Sequence, residues 1–238
     1  MSGTERPRTG AMGAELGDLS LAWVIRNPPA KGSTMTFFQD FPVPPTPPRG
    51  RAVRYVPPVW AGAPPYELPA VVPIGQFLHR SPTTVMAVKS ADVYSTGCTF
   101  DLSWTIRRGE QSDEEWADLN EVFFRPGPGA RRGGGAASML LFGVAFPDGS
   151  KSSASSQPHG FFEGTEEPAP PVLLMRNGGG NGGDDELSGT GTLWLWPLPP
   201  TGELRLVAQW KDFGVEECSI LLDGTQLRDA VGGVQKFW

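Results

Sequence analysis

The stretch Cys98–Ile106, "CTFDLSWTI", decides the fold class because its residues alternate between apolar and polar without a break. Successive side chains of a β-strand point to opposite faces of its sheet, so this stretch has one apolar face and one polar face. The apolar face carries Cys98, Phe100, Leu102, Trp104 and Ile106. The pattern predicts an antiparallel strand that is buried on one side only.

Further strands are predicted on both sides of this stretch. "SMLLFGVAF" (Ser138–Phe146) is apolar on both faces, which favours a central strand, and the Pro-Asp-Gly that follows predicts a hairpin turn. The other predicted strands are "TVMAVKSA" (Thr84–Ala91), "TLWLW" (Thr192–Trp196), "ELRLVAQW" (Glu203–Trp210) and "VEECSILL" (Val215–Leu222). We expect the last three to form a run of strands joined by turns.

Two short helices are predicted between and after the strands. Ser112 is followed three residues later by Glu115, the pattern of a capping box, which indicates a helix over Ser112–Phe124. Asp223 is a suitable N-cap for a second helix over Asp223–Val231. About eight short strands with turn-rich connections and little helix predict an all-β, mainly antiparallel β-sandwich.

The domain organisation follows from the distribution of proline. More than half of the 25 prolines lie between Pro28 and Pro82. Residues 1–18 are predicted to be a disordered tail, residues 19–73 an extended proline-rich arm, and residues 74–238 the β-sandwich domain. The arm contains Trp60 and Tyr66 and is too apolar for a solvated linker, so we expect it to lie along the protein body.

The stretch "TLWLWPLPP" (Thr192–Pro200) raises the question of what covers its strand. Trp194 and Trp196 share one face and the leucines between them take the other, so both faces are apolar. One hypothesis is that the arm over Pro42–Pro73 covers one of these faces. The alternative is that the two rings form an open platform for a sugar or a protein partner, in which case Trp60 and Tyr66 are further candidates for binding.

Composition excludes several function classes. A net charge of -6 and a pI near 5.0 argue against nucleic acid and anionic membranes as partners, and no apolar run is long enough to span a bilayer. Cys98 and Cys218 lie in apolar alternations and are predicted to be buried and reduced, which favours a cytoplasmic protein. His79 and His159 show no metal-binding spacing, and the glycine run Gly179–Asp184 is predicted to be a flexible loop. We expect no metal, cofactor or catalytic residue.

Several stretches, taken in order, resemble a family of uncharacterised conserved actinobacterial proteins with a "WLWPLPP"-type motif. They include "ELPAVVP" (Glu67–Pro73), "YSTGCTF" (Tyr94–Phe100), "LLFGVAFPDGSK" (Leu140–Lys151) and "LWLWPLPPTGEL" (Leu193–Leu204). The resemblance covers roughly Pro57–Trp238. It implies an intracellular β-rich protein and supplies no reaction, ligand or catalytic residue.

The function that the sequence favours is a non-enzymatic binding or assembly protein. Its partner would be another protein or a second copy, bound through an aromatic sheet face or the proline-rich arm. Two alternatives remain open. One is a carbohydrate-binding or hydrolytic β-sandwich that uses Trp194 and Trp196 as its platform, and the other is a structural component of a larger bacterial or phage-like assembly.

Overall fold

The computed structural model describes residues 56–124, 139–154 and 166–238. The predicted tail, the arm up to residue 55 and His159 lie outside the described residues. Within them, most residues lie in antiparallel strands, and the predicted all-β fold is confirmed.

Two antiparallel sheets form the sandwich. The first contains β2 (Ala70–Arg80), β3 (Thr84–Val93), β4 (Cys98–Arg107), β7 (Val172–Gly182) and β8 (Glu186–Trp196), in the order β2-β3-β4-β8-β7. The second contains β5 (Leu141–Ala145), β6 (Lys151–Ser153), β9 (Glu203–Trp210) and β10 (Val215–Asp223), in the order β10-β9-β5-β6. A separate two-stranded ribbon pairs β1 (Glu67–Leu68) with β11 (Gln235–Lys236).

The core lies between the two sheets. Strand β4 contributes all five apolar residues of its alternation, and each of them is buried, as the sequence predicts. The second sheet contributes Phe142, Val144, Leu204, Leu206, Ala208 and Trp210 to the same cluster. A buried hydrogen bond also joins the two layers, because the Thr84 hydroxyl donates to the Phe213 carbonyl at 3.0 Å.

Both predicted helices are present. Helix α1 spans Asp113–Phe124, and its capping box is formed in both directions. The Glu115 N–H donates to Ser112 Oγ at 3.3 Å, while the Ser112 N–H donates to the Glu115 carboxylate at 2.8 Å. Helix α2 spans Gly224–Asp229, and the Asp223 side chain accepts a hydrogen bond from the Thr225 N–H at 2.8 Å. Single 3₁₀ turns lie at Lys211–Phe213 and Ala230–Gly233.

The connection from β8 to β9 differs from the predicted run of neighbouring strands. β8 pairs with β4 and β7 in the first sheet, whereas β9 pairs with β5 and β10 in the second. The turn at Thr201–Gly202 therefore carries the chain from one layer of the sandwich to the other. The Pro-Asp-Gly turn does join a hairpin, since β5 pairs directly with β6.

The prediction of a flexible glycine loop at Gly179–Asp184 is wrong for most of its length. Gly179–Gly182 belong to β7 and continue its pairing with β8 after a register shift between Asn177 and Gly180. Gly180 and Gly182 are needed here because the aromatic rings of α1 pack directly on their backbone. A methyl group at Gly182 would come within 2.7 Å of the Phe124 ring, and one at Gly180 would come within 3.1 Å of the Phe123 ring.

Two further sequence interpretations need correction. The last part of the arm is not a continuous extended segment, because residues Pro58–Ala61 form a turn in which the Ala61 N–H donates to the Pro58 carbonyl at 2.9 Å. Strand β2 begins at Ala70 and includes Pro73, which is compatible with a strand here because β2 is at the edge of its sheet.

Both cysteines are free thiols, and Cys98 is fully buried as predicted, but Cys218 is only partly buried.

Candidate functional site

The outer face of the five-stranded sheet has an apolar end, formed by Val172, Leu174, Trp194 and Trp196 of β7 and β8, and a polar centre that contains Asp92 and Asp101. Residues that lie opposite each other in an antiparallel pair share a face, so the strand registers define rows across this surface. One row contains Val71, Asp92, Thr99, Trp194 and Leu174. The next row contains Pro73, Ser90, Asp101, Thr192 and Arg176. The apolar end includes Trp194, and it is therefore one of the two strand faces for which the sequence predicts a cover.

A segment of the same chain, Pro57–Ala63, lies against the apolar end, and we refer to it as the cover segment. Trp194 is only 3% exposed, and its indole N–H donates to the Trp60 carbonyl at 3.0 Å. The Arg176 guanidinium donates to the Ala61 carbonyl, also at 3.0 Å. Ala63 packs against the cluster of Val172, Leu174 and Trp194. The cover segment therefore binds to this face by backbone hydrogen bonds as well as by apolar contact.

The four candidate residues from the sequence fall into two places. Trp194, Trp196 and Trp60 lie at the cover segment, where Trp60 is buried and Trp196 is partly buried against the same apolar cluster. With Trp194 beneath the cover segment, its ring offers no open face for stacking with a sugar. Tyr66 lies elsewhere, on the ribbon of β1 and β11, and its ring is exposed.

The polar centre of the outer face contains two neighbouring acids. Lys89 forms an ion pair with Asp101 at 2.7 Å. Burial raises the pKa of the Asp92 carboxyl above its ordinary value, and the nearby Asp101 carboxylate raises it further. Burial also raises the pKa of Tyr94, whose ring packs edge-on against Trp194 with a centroid distance of 6.0 Å. The charged form of Asp92 is therefore disfavoured in the folded protein.

We expect Asp92→Asn to stabilise the protein at pH 7. A raised carboxyl pKa in the folded state means that folding becomes more favourable as the pH falls, so the ionised group opposes folding above the folded pKa. Because the side chain keeps much of its contact with solvent, we expect a gain of about 0.5 kcal/mol, or about 1–2 °C in Tm. The measurement is Tm by circular dichroism between about pH 3 and pH 8, a range that begins below the ordinary aspartate pKa of about 3.9 and ends well above it.

The pH profile separates this effect from a general gain in packing. The advantage of the Asp92→Asn variant should vanish towards pH 3, where the wild-type carboxyl is protonated in both states. Asp184→Asn, at an exposed aspartate in the turn between β7 and β8, is the matched control. An equal gain at all pH values would contradict the electrostatic explanation.

An exposed aromatic cluster lies on the ribbon, and sequence reasoning found only one of its members. The Phe237 N–H donates to the Tyr66 carbonyl at 3.0 Å, which extends the pairing of β1 with β11. The rings of Tyr66 and Trp238 lie 5.5 Å apart with a tilt of 48°, and Phe237 is 5.9 Å from Trp238. Trp238 is 88% exposed, while Leu68 and Phe237 are each about half exposed. We refer to Tyr66, Leu68, Phe237 and Trp238 as the aromatic patch.

The aromatic patch is held to the sandwich by one acid. The Glu67 carboxylate accepts hydrogen bonds from the Ser95 N–H at 3.0 Å and from the Ser95 hydroxyl at 2.6 Å. Ser95 lies in the turn between β3 and β4, so β1 is anchored to the first sheet. The pattern "QKFW" at Gln235–Trp238 is too short to indicate a strand, which explains why the sequence did not point to this surface.

A concave surface feature lies beside α1. This cleft has a volume of about 440 Å³, and its lining includes Arg108, Trp116, Asn120 and Gly183. Its polar groups are already engaged by the protein: the Trp116 indole N–H donates to the Gly183 carbonyl at 3.0 Å, and Arg108 donates to the Gln111 carbonyl at 2.9 Å. The cleft therefore presents few unengaged groups to a ligand.

The part of the chain that the structure describes contains neither a metal-binding cluster nor a membrane-spanning helix. In that part, no group of three or more histidine, cysteine or acidic side chains is arranged to hold a metal ion. None of its helices has both the length and the apolar character needed to cross a bilayer. Burial raises the pKa of the Cys98 thiol, which disfavours the reactive thiolate.

Comparisons with known proteins supply no identity for this arrangement. No protein-family model, no curated protein and no solved structure matches the chain. The candidate function therefore depends on the surfaces described above.

Proposed function

We propose that this chain is a non-catalytic binding protein that contacts a protein partner through the aromatic patch. The observation that carries the proposal is the exposure of Trp238, which is 88% accessible although its ring lies beside Tyr66 in an ordered ribbon. Exposed aromatic side chains that lie next to each other typically mark a recognition surface, and Trp and Tyr dominate the binding energy of protein interfaces.

The geometry of the ribbon supports this function. Tyr66 and Phe237 are opposite each other in the extended pairing, and Leu68 follows Tyr66 on the same face of β1. Trp238 adds its ring to the end of this row. The ribbon is fixed to the body by Glu67, so little conformational freedom is lost when a partner binds.

The other candidate surface supports binding less well. The cover segment already covers the apolar end of the outer sheet face, and its backbone carbonyls accept hydrogen bonds from Trp194 and Arg176. The centre of that face is polar, with Ser90, Asp101 and Thr192 opposite one another, while Val71 and Phe77 are exposed on the edge strand β2. A partner at that end would first have to displace the cover segment, whereas the aromatic patch is accessible without any rearrangement.

The test compares proteins that copurify with three versions of the full-length chain from the cells that naturally express it. The versions are wild type, Trp238→Ala and Leu221→Ala. Leu221 is a matched control because it is 52% exposed on β10, in a different part of the sandwich. We expect proteins that are enriched with wild type and Leu221→Ala to be depleted at least about tenfold with Trp238→Ala, the loss that a binding hot spot produces. Equal recovery with all three versions would contradict the proposal.

A further inference from the structure

We infer that one partner of the aromatic patch is a second copy of this chain, which binds patch to patch about a two-fold axis. This inference rests on the proposed function and specifies its partner. A two-fold interface uses the same surface on both subunits, so the surface must be compatible with itself in area, charge and shape.

The area of the patch fits a dimer interface. Its four side chains expose about 400–500 Å² of mostly apolar surface, given their fractional exposures and the typical size of aromatic side chains. A stable interface buries about 800 Å² on each partner, of which about 57–65% is apolar. The patch therefore provides the apolar area that one side of a standard interface requires, and the surrounding polar residues would provide its rim.

Charge favours self-association at this place over the rest of the surface. The whole chain carries a net charge of -6, so two copies repel each other in general. Within the ribbon, Glu67 and Lys236 are directly opposite each other in the pairing of β1 with β11, so their opposite side-chain charges offset each other. The side chains of the ribbon therefore add no net charge to the repulsion between two copies.

The arrangement of the rings also suits a symmetric contact. Tyr66 and Trp238 are tilted by 48° and are not stacked face to face, and their residues are 39% and 88% exposed. In a two-fold pair, Trp238 of each copy meets the patch of the other, and both copies contribute the same contacts. Aromatic pairs of this kind stabilise an interface beyond the burial of their area.

The test is sedimentation velocity of the full chain from about 1 to about 100 µM, the range in which transient interfaces dissociate. We expect the weight-average mass to rise with concentration from 25.6 kDa toward twice that value. Trp238→Ala and Tyr66→Ala should each raise the dimer dissociation constant about 30-fold or more, as expected for hot-spot residues. Leu221→Ala should leave it within about twofold of wild type.

The possible results separate this inference from the proposed function. A wild-type chain that stays at 25.6 kDa over the whole range overturns self-association, as does a dimer that survives both patch variants. In either case, the copurification experiment still decides the proposed function independently. If Trp238→Ala loses cellular partners while wild type is monomeric, the patch binds a different protein and only the second-copy inference is wrong.

Discussion

Trp194→Ala is expected to lower the free energy of unfolding by about 3–5 kcal/mol, the usual cost of removing a buried aromatic side chain. Trp194 is 3% exposed and packs with Val172 and Leu174, and its removal leaves a cavity beneath the cover segment. It also removes the hydrogen bond to the Trp60 carbonyl. Because typical domains are stable by about 5–15 kcal/mol, a loss of this size is a large part of the total.

Trp194→Phe separates the two contributions. The smaller ring keeps most of the apolar contact but leaves the Trp60 carbonyl without its donor, and an unsatisfied buried group costs about 1–3 kcal/mol. Urea unfolding followed by circular dichroism measures both variants, with Leu221→Ala as a control that should stay within about 0.5 kcal/mol of wild type. A loss below about 1 kcal/mol for Trp194→Ala would show that the cover segment does not bind this face as described.

The same packing shows why some features could be predicted from sequence and others could not. The alternation of Cys98–Ile106 and the capping box of Ser112 and Glu115 depend on neighbours along the chain, so both are confirmed by the structure. The strand at Gly179–Gly182 depends on long-range packing, because Phe123 and Phe124 of α1 leave no space for a side chain at Gly180 and Gly182. Glycine has a low intrinsic preference for strands, and tertiary contacts override that preference here.

The candidate site also combines features that local sequence patterns predict with features that depend on long-range contacts. The sequence of Thr192–Trp196 required a cover for its second apolar face, and the described contacts place Pro57–Ala63 there. The turn at Pro58–Ala61, which brings the Trp60 carbonyl to Trp194, could not be read from the prolines alone. The aromatic patch depends on β1 and β11 pairing across most of the domain, and a pattern of two residues in each strand carries no signal for it.

Gly97→Ala is expected to lower the free energy of unfolding by about 3 kcal/mol, at the upper end of the usual cost of overpacking. Gly97 lies in the turn between β3 and β4, directly beside β8. A methyl group at this position would overlap the Leu195 carbonyl oxygen and come within 2.7 Å of the Trp194 ring. The carbonyl belongs to the backbone of a central strand and cannot rotate away, so the sheet itself must shift. Thermal and urea unfolding measure the loss.

Gly179→Ala is the matched control for Gly97→Ala. No atom lies within 4 Å of the position that its methyl group would take, and we expect a change of no more than about 1 kcal/mol in either direction. The double variant Gly97→Ala with Trp194→Phe then tests the mechanism. The smaller ring removes the contact with the side chain and leaves the contact with the Leu195 carbonyl, so the double variant should lose less stability than the sum of the two single variants. Strict additivity would mean that the Trp194 ring does not limit the space at Gly97, and a wild-type stability for Gly97→Ala would contradict the close approach of the turn to β8.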